Sequence, residues 1–277
     1  MKHYFLTPLL LCSTVSLANE PTSDTSWYDF LLQKRDGGGF FSAGIVVQNS
    51  RGLYQSEDFK IRPELKGAYY FNNGLFIEFP GRADKFDNQF AMGYNLGTTG
   101  NWEFDVLLSM AHGGLIYTSA QGSFKKEPSP YWGLRAIGTI AGLDTMLMYG
   151  TNSNKMDYSN GLYGAAWLGK SWNINNWHLY SSVGAQYRNA AMLDFYYGIP
   201  DNQAGVPAYD AKGGVNLIYK AGFKKPLNEN WLVEGNFSMT RYADSIIDSP
   251  YSQSILQGDE KRSENGRTFS LSISYVF

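Results

Sequence analysis

Residues Thr268–Phe277 read TFSLSISYVF. Side chains alternate between the two faces of an extended strand, so Phe269, Leu271, Ile273, Tyr275 and Phe277 share one face and Ser270, Ser272 and Ser274 the other. An apolar strand left at the edge of a sheet invites pairing with other chains. This strand is therefore expected to have a neighbour on both sides, and a sheet that closes on itself supplies one.

Composition points the same way. Aromatic residues make up 16% of the 277-residue chain, there are 30 glycines, and charged residues are only 17%, against about a quarter in ordinary soluble domains. Mean hydropathy is nevertheless −0.32. Such a chain is expected to show aromatic side chains to something other than water and to keep polar ones inside.

The first residues have the features of a secretory signal. Lys2 gives the positive charge, Phe5 to Val15 the short apolar run, and Ser16-Leu17-Ala18 the small-x-small cleavage site before Asn19. The run is short and broken by Pro8, which disfavours a membrane helix. Cys12, the sole cysteine, lies inside this segment. Leu11 before it fits a lipidation site poorly, and after cleavage neither a disulfide framework nor a thiolate metal site is available. Without Lys2 the chain has 22 basic against 25 acidic residues, which gives no basic surplus for nucleic acid. No run approaches the roughly 18 apolar residues of a spanning helix. An exported chain of this kind would cross a membrane as a closed barrel, which also satisfies its backbone hydrogen bonds in lipid.

The expected organisation is a signal peptide over 1–18, a polar periplasmic lead-in over 19–38 ending in glycines, and an outer-membrane β-barrel over 39–277. The alternation recurs in segments of about ten residues, the signature of a transmembrane barrel. Phe59, Ile61, Leu65, Tyr69 and Phe71 oppose Lys60, Arg62, Glu64 and Lys66. Trp102, Phe104, Val106, Leu108 and Met110 oppose Glu103, Asp105 and Ser109. The stretches 177–188, 215–224 and 231–239 behave alike and place Gln186, Arg188, Asn216, Lys220, Lys224 and Glu234 on polar faces. About twelve antiparallel strands are expected, near 40–48, 59–71, 74–81, 84–96, 101–117, 130–141, 142–151, 160–171, 176–188, 210–224, 230–242 and 267–277.

Bacterial barrels have short periplasmic turns and longer extracellular loops. The even connections are short here, and the odd ones at 49–58, 118–129, 152–159, 189–209 and 243–266 are long, which puts both termini in the periplasm. The hairpin near Gly81-Arg82 breaks that pattern. Trp102, Trp172, Trp177 and Trp231 sit beside the short turns, where an aromatic girdle is expected. The closing strand with its final phenylalanine resembles the recognition signal of outer-membrane proteins, implying the barrel-assembly machinery and outer-membrane lipid as partners.

Two further stretches carry a family resemblance. FYYGIPDNQAGVPAYDAKGG (195–214) holds Tyr196, Tyr197, Gly198 and Ile199, then Gly205, Val206, Pro207, Ala208, Tyr209 and Asp210. NWLVEGNFSMTRYADSIIDSP (230–250) ends in Asp248, Ser249 and Pro250. Both resemble hallmarks of the MipA/OmpV family. The resemblance implies an outer-membrane barrel and, for the family's namesake, a scaffold between a lytic transglycosylase and a peptidoglycan synthase; other members are described as adhesion, osmotic or antibiotic-linked proteins.

No catalytic set is expected. Beyond His3 the histidines are His112 and His178. Ser109 lies three residues before His112, an odd offset that places the two on opposite faces of a regular strand. No metal-ligand spacing occurs and no cofactor is expected; Asp201 and Asp210 are conceivable calcium ligands, but acidic loop residues are usually solvated. The inward face would carry Lys60, Arg62, Glu64, Lys66, Glu103, Asp105, Arg135, Arg188, Lys220 and Glu234, which either line a pore or pair and close it. The 189–210 loop is either a binding surface or a rigid rim of prolines and tyrosines. The functional expectation is a non-enzymatic scaffold; a narrow solute channel and a surface adhesin are the alternatives.

Overall fold

The computed structural model describes residues 37–80, 84–86, 89–119, 122–152, 158–201 and 206–277. The signal-peptide segment, Cys12 and nearly all of the lead-in lie outside these residues. Fourteen strands are present among them: β1 Gly38–Gly52, β2 Gln55–Tyr70, β3 Leu75–Phe79, β4 Ala91–Thr99, β5 Trp102–His112, β6 Leu115–Ser119, β7 Gly122–Lys126, β8 Ser129–Ile140, β9 Leu143–Asn152, β10 Leu162–Ile174, β11 Trp177–Arg188, β12 Gly214–Pro226, β13 Trp231–Arg241 and β14 Asn265–Val276. Twelve form a closed antiparallel barrel, and β6 and β7 make a separate hairpin between β5 and β8. Three helices belong to the long connections: α1 Ala190–Tyr197, α2 Asp244–Ile247 and α3 Pro250–Gly258.

The strand that opened the sequence analysis closes the ring. β14 pairs with β1 from Ser42↔Val276 to Arg51↔Arg267, and with β13 on its other side. Its large side chains face outward, Phe269 being 52% and Leu271 54% exposed, while Ser274 is 1% exposed on the inside. Phe277 donates its N–H to the Phe41 carbonyl at 2.9 Å, and its ring meets Phe41 and Tyr275. Trp172, Trp177 and Trp231 are exposed at the end of the barrel that carries the short turns. One of those turns, Ala141-Gly142, has positive φ at both residues, the geometry a two-residue hairpin needs to match strand twist.

Three segments differ from the sequence expectation. Residues 49–58, expected as a loop, are mostly strand: β1 and β2 run on to a tight turn at Leu53-Tyr54. Their polar ends are held by cross-strand contacts, Arg51 to Glu57 at 3.5 Å and Arg267 to Glu57 at 2.8 Å, and by the Glu57 N–H to the Lys261 carbonyl. The stretch 101–117 is divided, because β5 ends at His112 after a bulge and β6 leaves the barrel. The third difference is the connection 80–90, expected to be strand on both sides of Gly81-Arg82. β3 stops at Phe79 and β4 starts at Ala91. Gly81, Arg82, Ala83, Asp87 and Asn88 lie outside the described residues; Asp84, Lys85 and Phe86 are inside the barrel. This odd connection is therefore long and no longer breaks the loop pattern, whereas the first odd connection now does, being a tight turn at Leu53-Tyr54.

Candidate functional site

The barrel interior is built in layers. Nearest the short turns is a network of buried charges. Arg135 of β8 is 4% exposed and grips Glu78 of β3 through two nitrogens at 2.6 and 2.9 Å, while its Nε donates to Asp105 of β5 at 2.9 Å. The paired geometry gives strong, directional hydrogen bonds, and the Phe76 ring lies 5.1 Å beneath the guanidinium. Asn95 bridges Glu103 at 2.8 Å and Asp105 at 2.9 Å. Beside it in the ring, Lys66 of β2 pairs with Glu234 of β13, both nearly fully buried, and Lys224 stands 3.6 Å from the second Glu234 oxygen.

The 80–90 connection docks onto this layer. Lys224 binds the Asp84 carboxylate at 3.1 Å, and Lys220 donates to the carbonyls of Asp84 and Phe86 at 3.2 and 3.1 Å. Lys85 pairs with Asp144 and reaches the Ser171 hydroxyl at 3.2 Å; Ser182 donates to the Lys85 carbonyl. Phe86 packs on Trp167, whose ring is buried on the inner face of β10. Burial alone would raise the Asp84 carboxyl, but Lys224, Lys66 and Lys220 outweigh it and hold it below its usual range. The connection is thus a plug fixed by ion pairs and backbone acceptors.

The far end of the barrel is covered by α1 and its surroundings. Asn189 caps α1, accepting from the Met192 N–H at 3.2 Å, as a helix start requires. Met192, Leu193, Tyr196 and Tyr197 are fully buried below it. Tyr196 stacks on His112 at 3.8 Å and donates to the Glu127 carbonyl at 2.7 Å. Tyr197 meets His112 Nε2 at 3.0 Å and the Tyr54 hydroxyl. Burial pushes Tyr54 up to about 12, with the Tyr197 hydroxyl and Arg188 pulling against it. Gly198 ends α1, its N–H bonding the Asp194 carbonyl at 2.8 Å. Ile199 then bridges Tyr209, and Tyr209 donates to the Ser245 carbonyl at 2.9 Å. Asp248 follows α2 as its cap, Pro250 opens α3, and the buried Ser249 between them donates to the Tyr197 carbonyl at 2.8 Å. The two separate sequence stretches singled out above therefore meet in one cap. Pro207 and Asp210 are exposed at its rim, Asp201 likewise, and Gly205 lies outside the described residues.

Between plug and cap is a cavity of about 350 Å³, lined by Arg188, Lys220, Gln186, Asn216, Thr240 and Tyr242 among others. Two residues of the expected inward face differ from the rest: Lys60 and Arg62 are exposed, and β2 pairs with β3 only from Gly67 onward. Lys60 lies 3.7 Å from Asp58 on its own strand; Glu64 is half-buried. The inference that Ser109 and His112 lie on opposite faces needs correction. The β5 bulge shifts the alternation, and both are buried, at 2% and 8% exposure. They do not form a pair, since Ser109 donates to the Phe90 carbonyl at 2.9 Å and His112 is engaged by the two tyrosines. Among the described residues no three His, Cys, Asp or Glu side chains cluster as metal ligands would. Asp84, Lys85, Phe86 and Trp167 were not recognised from sequence, although Pro80-Gly81 and the Asp and Asn that follow are loop signals.

A closed twelve-stranded barrel with an outward apolar belt and polar interior is an outer-membrane barrel protein. Residues 42–277 match the family model described as MltA-interacting protein MipA, and the chain belongs to that family. A search of curated proteins finds no match. Among solved structures it is similar to the loop L8 deletion mutant of OmpT, an outer membrane protein of Vibrio cholerae, at 9% identity and TM-score 0.42, covering 88% of this chain and 100% of that one. It is also similar to an anion-selective porin from Comamonas acidovorans, at 10% identity and TM-score 0.37, covering 87% and 100%.

Proposed function

We propose that this protein is a non-enzymatic outer-membrane scaffold, with its termini and short turns facing the periplasm, where it holds a lytic transglycosylase and a peptidoglycan synthase. The family's description names interaction with MltA, and the lytic transglycosylase that the family resemblance implies is carried to this chain as part of the proposal. The observation in its favour is the state of the lumen. Ion pairs, a plug and a cap occupy it in succession, as suits a barrel that works through its outer surfaces. The alternative channel reading requires the plug to move. The adhesin reading assigns binding to 243–266, yet Ile246, Ser249 and Ser252 of that segment are buried in the cap.

Affinity capture from solubilised envelopes tests the scaffold. It should recover a transglycosylase or a synthase, and substitutions in the short turns at Asn72-Asn73 and Asn175-Asn176 should reduce that recovery while leaving a folded barrel. Repeated recovery of neither enzyme would sink the proposal.

A further inference from the structure

Arg188 is 7% exposed, and among the described residues no carboxylate pairs with it. A buried cation without a counter-charge is costly, because nothing replaces the water it has lost. Two other deeply buried cations of the interior have carboxylate partners, Lys66 with Glu234 and Arg135 with Glu78 and Asp105, while Lys220 is held by the plug through the Asp84 and Phe86 carbonyls. Arg188 instead spends its donors on neutral acceptors, Nε on the Ala111 carbonyl at 2.8 Å and Nη2 on Gln186 Oε1 at 3.3 Å. Its guanidinium carbon lies 5.4 Å over the Tyr163 ring. The group is held in a fixed orientation at the wall of the 350 Å³ cavity.

The rest of that wall has matching chemistry. Lys220, held by the Asp84 and Phe86 carbonyls, adds a second cation, and no Asp or Glu is among the described lining residues. The Asn216 carbonyl oxygen is taken by the Ala243 N–H at 2.9 Å, which turns the amide N–H₂ toward use as a donor. Ser238, Thr240 and Tyr242 contribute hydroxyls. The cavity is of the size that holds small molecules, and a few convergent polar groups set their orientation.

We propose that this cavity binds a small hydroxylated carboxylate of the sugar-acid class, its carboxylate on Arg188 and its hydroxyls on Asn216, Ser238 and Thr240. Arginine's planar fork matches a carboxylate in two-point geometry, and fixed donors reduce the ordering cost of binding. The proposal does not depend on the scaffold reading, since it concerns the lumen and not the outer surfaces.

Titration calorimetry on the full chain, purified in detergent, tests it with gluconate as the probe and glucose as the neutral control. Gluconate should bind saturably at one per barrel and glucose should not. Arg188→Gln should weaken gluconate by about tenfold or more, as expected for loss of a charge-assisted pair. Thr240→Leu, which fills the cavity and leaves Arg188 in place, should weaken it as well; this second variant decides the matter if Arg188→Gln does not fold, folding being read from heat-modifiable gel migration. Absence of saturation at millimolar gluconate, equal binding of glucose, or undiminished binding by the folded variants would overturn the proposal.

Discussion

A methyl group on Gly198 would stand 2.3 Å from the Asp194 carboxylate and 2.4 Å from the Asp194 carbonyl oxygen. The same carboxylate accepts the Ala211 N–H at 3.0 Å, so it cannot swing away without loosening the chain that returns toward β12. Gly198→Ala is expected to cost about 2 kcal/mol, the usual scale of overpacking, read as a lower midpoint in urea unfolding of the refolded barrel. Asp84 gives a pH prediction. Its folded pKa is held below its unfolded value, chiefly by Lys224 once burial is overcome. Its contribution is therefore fully present above the unfolded value of about 4 and lost as pH falls through the folded one. Wild type should exceed Asp84→Asn in urea stability at pH 6, with the gap closing in stronger acid; a constant gap would contradict the assignment. Residues such as Arg188, Lys220 and Glu234 were legible in sequence, because period two alone assigns them to the inner face. Which of them pair with each other was not, since that depends on strands far apart in the chain.

Among the elements, the 80–90 connection is one that sequence periodicity misassigned. Phe86, Phe90 and Met92 alternate as a strand would, yet Phe86 packs on Trp167 inside the barrel. Alternation cannot distinguish an aromatic facing lipid from one buried against another aromatic in a plugged lumen. The extended β1–β2 hairpin was missed for the opposite reason: its outer portion is polar, and its pairing relies on charges such as Arg51 and Glu57. The plug makes a direct prediction about passage. Replacing 81–89 with a short glycine-serine turn should give discrete single-channel steps in a planar bilayer where wild type is silent. If the replaced barrel folds and is also silent, the cap under α1 closes the lumen by itself and the plug is not the barrier.

For the whole molecule, strand number and closure were readable because each hairpin repeats one pattern and the final segment demanded a partner. The cap was readable as two stretches that resemble the family's hallmarks, but their meeting through Ser249 and Tyr197 required the fold. Closure also has a consequence in time. Most neighbouring strands of the barrel are close in sequence, whereas β1 and β14 are brought together from opposite ends of it. Joining distant segments costs more chain entropy than forming local hairpins, so the β1–β14 seam is the step that completes the barrel. Without that seam, a sheet of these strands has two unpaired edges. The Lys66–Glu234 pair spans that seam, from β2 across β1 and β14 to β13. Burial of those two charges against each other is accordingly a late event, and the pair acts as a latch that engages only after the ring has closed.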